Sequence, residues 1–261
     1  MKAKKEKTFR YIYGPVSSWR LGSSLGVDPL SEKEKICTFD CVYCQLGKTR
    51  VFADERSVFV PVHKIIEEIQ SLPDVPIDYI TFSGRGEPTL AKNSGQMIRE
   101  VRKITDKKIA VITNASLMGR KDVREDLFLA DFVLAKLDAG SQETFKRINK
   151  PLEGIEFTAV LEGIKNFKNR YAGKLALQIM FIKENEKDAG DIARIAREID
   201  PDEVEINTPL RPCGVEPLSE RALREVMNYF EGLECISVYE TTRKEVKTIS
   251  DEDTLIRRGK V

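Results

Sequence analysis

Six times along the chain, a short apolar run rich in β-branched residues is followed by a longer segment whose apolar residues fall three and four apart. The runs are Ser24-Leu-Gly-Val-Asp-Pro, Asp78-Tyr-Ile-Thr-Phe-Ser-Gly, Lys108-Ile-Ala-Val-Ile-Thr-Asn, Phe132-Val-Leu-Ala-Lys-Leu-Asp, Lys174-Leu-Ala-Leu-Gln-Ile-Met-Phe-Ile and Glu203-Val-Glu-Ile-Asn-Thr-Pro. Helix-like stretches follow at 62–72, 93–104, 121–130, 154–169, 188–199 and 219–231. In them Ile65, Ile66 and Ile69, or Ile192, Ile195, Ala196 and Ile199, keep the spacing of one buried helical face. Repeated β-then-α units require parallel strands joined by right-handed crossovers. The pattern therefore fits an incomplete barrel or an open doubly wound sheet, in one domain. Its expected extent is residues 24–235, with extensions at 1–23 and 236–261.

In such folds functional groups gather where strands end. Ser83-Gly84-Arg85-Gly86-Glu87, Thr113-Asn114, Asp138 and Asn207-Thr208 all close apolar runs here. Lys136 shares strand parity with Asp138, Gln178 with Met180, and Glu205 with Asn207, so each pair points to one side.

Charge excludes some partners. With 43 Lys+Arg against 42 Asp+Glu the net charge is +1, and nothing calls for a nucleic-acid coat. No apolar run approaches the ~20 residues that span a bilayer. The basic start, Met1-Lys-Ala-Lys-Lys-Glu-Lys, has no apolar region behind it, so the expectation is a cytoplasmic protein without membrane contact.

Cysteine placement points to chemistry. Of five cysteines, Cys37, Cys41 and Cys44 lie within eight residues, and the odd count argues against a disulfide framework. The C-x3-C-x2-C triplet follows the first strand, and its thiolates can hold three corners of a [4Fe-4S] cluster, leaving one iron open. A structural zinc site would need a fourth ligand. The next cysteine is Cys213, and the single histidine, His63, follows Pro61 where a helix start is expected.

Cys37-Thr-Phe-Asp-Cys41-Val-Tyr43-Cys44 resembles the signature of the radical S-adenosylmethionine (SAM) superfamily, C-x3-C-x-aromatic-C. Phe82-Ser-Gly84-Arg-Gly86-Glu87-Pro-Thr resembles its second-strand Gly-Gly-Glu element, which meets the amino group of SAM. Ile112-Thr-Asn114-Ala115 resembles the third-strand Thr-Asn-Gly element, with alanine in place of glycine. Tyr11-Ile-Tyr-Gly-Pro-Val-Ser-Ser-Trp-Arg20-Leu-Gly-Ser-Ser-Leu-Gly-Val-Asp-Pro and Asn207-Thr-Pro-Leu-Arg211-Pro are similar to an Fe-S oxidoreductase group related to the wyosine-forming tRNA enzymes.

The resemblance implies a partial (β/α)6 TIM-like barrel. It implies a cluster on Cys37, Cys41 and Cys44, and SAM held among Tyr43, Ser83, Gly84, Gly86, Glu87, Asn114, Lys136, Asp138, Gln178 and Asn207. Lys136 and Asp138 would meet the carboxylate and ammonium of SAM, and Gln178 and Asn207 its ribose or methionine part. The reaction implied is one-electron cleavage of SAM to a 5′-deoxyadenosyl radical that abstracts hydrogen. A low-potential ferredoxin or flavodoxin would supply the electron, and the cofactors would carry the radical chemistry.

The substrate is less legible. The related wyosine enzymes carry cysteines ahead of the triplet for a second cluster, and this chain has none before Cys37. Kinship suggests RNA, with Lys2, Lys4, Lys5, Lys7, Arg10 and Arg20 as phosphate contacts, against a solvated terminus. An activase for a glycyl-radical partner protein has the same cysteine spacing. An electron carrier or zinc module would leave the glycine-rich second strand without a purpose. Cys213, after Arg211-Pro212 at a strand end, is the candidate catalytic thiol, whereas Cys235 reads as packing.

Overall fold

The computed structural model describes residues 9–259, and Lys2, Lys4, Lys5 and Lys7 lie outside them. Eight strands form one curled sheet in the order β1 (Ile12–Ser18), β2 (Gly22–Val27), β5 (Tyr79–Phe82), β6 (Lys108–Thr113), β7 (Phe132–Lys136), β8 (Lys174–Met180), β9 (Glu203–Asn207) and β10 (Cys235–Ser237). From β2 onward every neighbouring pair is parallel, and β1 runs antiparallel to β2. A separate two-stranded pair, β3 (Ile36–Cys37) with β4 (Val51–Phe52), brackets the cysteine loop. The architecture is the expected half-barrel in a single α/β unit.

Helices cover the outer face: α1 (Val62–Gln70), α2 (Ser94–Ile104), α3 (Lys121–Leu127), α4 (Gln142–Ile148), α5 (Phe157–Lys168), α6 (Ala189–Ile199) and α7 (Glu220–Met227), while α8 (Asp251–Arg258) packs at β1. Where apolar spacing repeats, helix and burial coincide, as for Ile65 and Ile69 in α1 and Ile192, Ala193, Ile195, Ala196 and Ile199 in α6. Serine oxygens cap four-residue-turn starts, with Ser141, Ser219 and Ser250 accepting from Thr144, Ala222 and Asp253 backbone N–H groups. Among the described residues no helix is long and apolar enough to cross a membrane.

Strand parity divides the interior into two environments. Outward residues such as Ile80, Phe82, Ile109, Val111, Val133, Leu175, Leu177, Val204 and Ile206 join the helices in one large core. Inward residues Ala110, Phe132, Leu134 and Ala176, with Leu21, form only a small apolar plug. Beyond that plug the inner face turns polar, and there the barrel is open.

Three elements lie outside the six apolar runs. β1 contains Gly14 and Pro15, and its pairing with β2 shifts register between Tyr13 and Val16, so no alternation marks it. β10 is three residues long. α8 sits in the charged C-terminal stretch and packs on β1, where Gly14 N–H donates to Thr254 Oγ1 at 3.0 Å. The end of α8 reaches the barrel's open side, where Arg257 and Arg258 line the cavity.

Candidate active site

A cavity of about 340 Å³ opens at the carboxyl ends of the parallel strands. All three triplet cysteines line it, as do Tyr43, Ser83, Gly84, Gly86, Glu87, Asn114, Lys136, Asp138, Gln178 and Asn207. Segments 37–44, 83–87, 113–114, 136–138, 178 and 207, far apart in the chain, thus share one wall system because each ends or follows a neighbouring strand.

The cysteine loop is held from outside. Asp40 N–H donates to Asn149 O at 3.0 Å, Val42 N–H to Ile148 O at 2.9 Å, and Leu152 N–H to Thr38 O at 2.8 Å, tying the loop to the end of α4. Each thiol faces a polar N–H. Asn114 Nδ2 lies 3.6 Å from Cys37 Sγ, Asn149 Nδ2 3.6 Å from Cys41 Sγ, and Lys35 Nζ 3.1 Å from Cys44 Sγ. Burial pushes the Cys37 thiol up to about 12 and the Cys41 thiol up to about 11, so an unmetallated loop keeps these two protonated. Among the described residues no three His, Cys, Asp or Glu side chains converge on a single-ion site. Soft donors spread around a space, with N–H groups aimed at the sulfurs, fit a polynuclear iron–sulfur group better than one zinc ion.

Glu87, 1% exposed, organises the second and third strand ends. Its Oε1 accepts from Thr89 N–H (3.1 Å), Thr89 Oγ1 (2.6 Å) and Thr113 Oγ1 (2.6 Å), and its Oε2 from Asn114 N–H (2.7 Å). Burial raises its carboxyl above the ordinary range, against those donors. With its oxygens engaged internally, Glu87 positions the loop, and backbone at Gly84 and Gly86 faces the cavity. Gly86 has φ +146° and bridges Ile36, and its amide neighbour Glu87 N–H donates to Ile36 O at 3.2 Å. Ala115, where the resemblance has glycine, takes φ +66° nonetheless, buried and anchored by Thr113 Oγ1 at 3.0 Å.

Asp138 is a second hub. Its Oδ1 accepts from Met180 N–H at 2.8 Å and pairs with Lys136 Nζ at 3.2 Å. Its Oδ2 accepts from Asn149 Nδ2 at 2.9 Å and from the Tyr43 hydroxyl. Lys136 also lies over the Tyr43 ring, 4.8 Å from its centroid. Asp138 is therefore spent on fixing Tyr43 and Asn149, which leaves the Lys136 ammonium as the group facing the cavity. Met180 packs with Tyr43, Ile148 and Ile182 while touching the cavity wall.

Deeper in the barrel, Gln178 Nε2 donates to Glu205 Oε2 at 3.2 Å, and Arg20 Nε lies 3.5 Å from that oxygen. Glu205 is fully buried, and burial pushes its carboxyl up from the ordinary 4.5 to about 7, which Arg20 only partly offsets. The folded chain thus holds a proton that the unfolded chain has released between those values. Stability contributed by this group is full below pH 4.5 and is lost as pH rises through 7, on the order of 3 kcal/mol. Glu87 and Asp28, also raised by burial, add slope of the same sign. Glu205→Gln is expected to flatten much of the decline in denaturant stability between pH 5 and 8, and an unchanged slope would show that Glu205 ionises freely.

Sequence reading did not single out Lys35, Asn149, Asp28, Arg257 or Arg258. Lys35 sits two positions before Cys37, a signal available in the sequence, and also donates to Gly47 O at 2.9 Å. Asn149 carries no local signal and reaches the site only because α4 returns beside the cysteine loop. Asp28 accepts from Leu30 and Ser31 N–H groups at 3.2 and 3.1 Å and pairs with Arg257 at 3.6 Å. Cys213 is not among the cavity-lining residues; it packs beside Tyr43, Met180 and Ile182, its thiol donating to Val215 O at 3.3 Å. Cys235 packs against the outer core, its thiol 3.8 Å from Phe230 O. His63 is exposed in the first turn of α1.

Comparison with known proteins agrees with this arrangement. The family model described as the radical SAM superfamily matches residues 35–196. The chain is 41% identical over 206 residues to the UPF0026 protein slr1464 of Synechocystis sp. (strain PCC 6803), covering 78% of this chain and 77% of that one. It is 38% identical over 207 residues to the UPF0026 protein MJ1312 of Methanocaldococcus jannaschii, covering 77% of this chain and 64% of that protein. Among solved structures it is similar in fold to archaeal TYW1, with a TM-score of 0.55 at 12% identity over 81% of this chain and 72% of that one. The cysteine loop, the strand-end glycines and the half-barrel that carries them all fall within the matched region or its parallel sheet, and the chain belongs to the radical SAM superfamily.

Proposed function

We propose that Cys37, Cys41 and Cys44 hold a [4Fe-4S] cluster and that SAM lies against it across the strand ends, for hydrogen abstraction from a substrate entering at the open side. When bound, these two groups supply reductive cleavage of SAM to a 5′-deoxyadenosyl radical, with an electron from a low-potential ferredoxin or flavodoxin. The observation that carries the reading is the set of three thiols, each with an N–H neighbour, facing the same cavity as Gly84, Gly86 and Lys136.

The chain's own residues do the positioning. The Lys136 ammonium, steadied by Asp138, offers charge to a carboxylate. Gly84 and Gly86, with φ of +137° and +146°, present backbone polar groups to the cavity in conformations that a side chain would strain. Gln178 and Asn207 offer uncharged polar tips on the last strands, and Tyr43 closes the floor beside the cysteine loop. The small apolar plug beneath keeps water from entering through the barrel bottom.

The test uses anaerobically reconstituted protein. About four irons and four sulfides per chain are expected. After reduction with dithionite and addition of SAM, 5′-deoxyadenosine should form, read by mass spectrometry. Stoichiometric zinc, or a cluster that cleaves no SAM under several reductants, would overturn the reading.

A further inference from the structure

The cavity wall away from the cysteines carries an excess of cations that the SAM site does not use. Arg20 in the β1–β2 turn, Arg211 beyond β9, Arg243 beyond β10 and Arg258 at the end of α8 all line it. Among the described residues only Arg20 of these four has a carboxylate within ion-pair reach, Glu205 at 3.5 Å, whose burial pushes it up to about 7. Arg211 and Arg258 are engaged only with neutral groups. Arg211 Nη1 donates to Arg258 O, and Arg258 Nη2 to Ser17 O at 3.3 Å. Arg243 makes no hydrogen bond or ion pair among the described residues and is exposed at the mouth. Burial, then Arg258 and Arg20 nearby, lower Arg211 to about 10, and burial with Arg243 and Arg20 lowers Arg258. Four guanidiniums within mutual reach, three of them without a carboxylate partner among the described residues, are a configuration that folding alone does not favour.

From this juxtaposition we infer that Arg20, Arg211, Arg243 and Arg258 form the substrate-recognition wall and bind a phosphate-bearing small molecule, an inference that rests on reading this cavity as a SAM-cleaving site. A single carboxylate, such as that of SAM, is met by Lys136 in the same cavity and needs one cation. Several planar forks converging on one niche suit a group with two or more negative charges and several acceptor oxygens. With a net charge of +1 the chain as a whole carries no surplus of basic groups of the kind a polyanion would call for. The niche is also narrow. α8 is tied to the loop beyond β9 through Arg211 and Arg258, and Gly259 lies so close to the cysteine loop that a Cβ on it would fall 2.4 Å from Gln45 O. The strap favours a small phosphate ester over a nucleic-acid backbone, which would have to displace it.

The probe is inorganic pyrophosphate, titrated calorimetrically into the reconstituted, SAM-loaded protein at low salt. Arg243→Ala removes no hydrogen bond or ion pair among the described residues and is expected to weaken pyrophosphate binding about tenfold, Arg243→Lys less, and the surface control Arg221→Ala not at all. Iron content and melting temperature, unchanged across the set, show that the variants fold. Absence of wild-type binding at millimolar pyrophosphate, or equal binding by Arg243→Ala, would overturn the inference. So would single-stranded RNA that binds through Arg243 while pyrophosphate does not, since the partner would then be a polymer. The readout is binding without turnover. A chain that takes pyrophosphate but never cleaves SAM would therefore sink the activity and spare the anion site, and the opposite result would do the reverse.

Discussion

Cys41→Ala is expected to fold and to lose the chemistry entirely. The side chain is half-buried, and its removal deletes one sulfur from a loop fixed elsewhere by backbone bonds from Asp40, Val42 and Leu152. Asn149 Nδ2 loses a sulfur at 3.6 Å but keeps Asp138 Oδ2 at 2.9 Å and Tyr43 at 3.2 Å. The stability cost is therefore on the order of 1 kcal/mol, within the ordinary range for a point change. Iron per chain should fall from about four to near zero, because two thiolates cannot retain the cluster that three hold. 5′-Deoxyadenosine should fall below detection. The matched control is Cys235→Ala, whose thiol packs by Phe230 far along the sheet and whose loss should leave iron content unchanged. Iron retained by Cys41→Ala and lost by Cys235→Ala would reverse the assignment of the thiols.

The half-barrel was legible because its parallel strands are buried on both sides and read as unbroken apolar runs, Phe132–Lys136 most clearly. β1 was not, since Gly14 and Pro15 interrupt it and its pairing is made by β2 rather than by its own pattern. α8 was hidden for a different reason. Asp251, Glu252 and Asp253 begin it and Arg257 and Arg258 end it, a good helix by charge but with no apolar stripe to announce it. In the site, residues that end strands could be placed by parity, which is how Lys136, Asp138, Gln178 and Asn207 were named together. That Asp138 is consumed by Tyr43 and Asn149 could not be read, because the contact joins a strand end to the far end of α4.

Gly86→Ala should cost far more than its size suggests. An added Cβ would stand 1.8 Å from Ile36 O and 2.8 Å from Ile36 C, both backbone atoms with no rotamer to change. The residue's φ of +146° is also one that alanine adopts only with strain. Relief requires breaking the Ile36–Gly86 bridge and the Glu87 N–H bond to Ile36 O, which moves the segment carrying Lys35 and Cys37. A loss of at least ~3 kcal/mol follows, near 10 °C in melting temperature for a chain of this size. Iron incorporation should fall with it. At Gly84, whose φ of +137° also strains alanine, the atoms nearest an added Cβ belong to the Asp28 side chain, the closest at 2.4 Å, rather than to backbone, so Gly84→Ala should be the milder of the two. A Gly86→Ala protein that melts within 2 °C of the parent and keeps its iron would show that the β3 edge yields more readily than its contacts indicate.

The division of each strand between an apolar outer face and a polar inner face also bears on how such a protein changes over evolutionary time. Positions 133, 175, 177, 204 and 206 hold the helices, and positions of opposite parity in the same strands, 136, 178 and 207, line the cavity. Drift at one set can proceed while the other stays constant, because adjacent letters in the same strand answer to different selective demands. New substrates are therefore reachable by rewriting every second residue near the strand ends, with the architecture inherited intact.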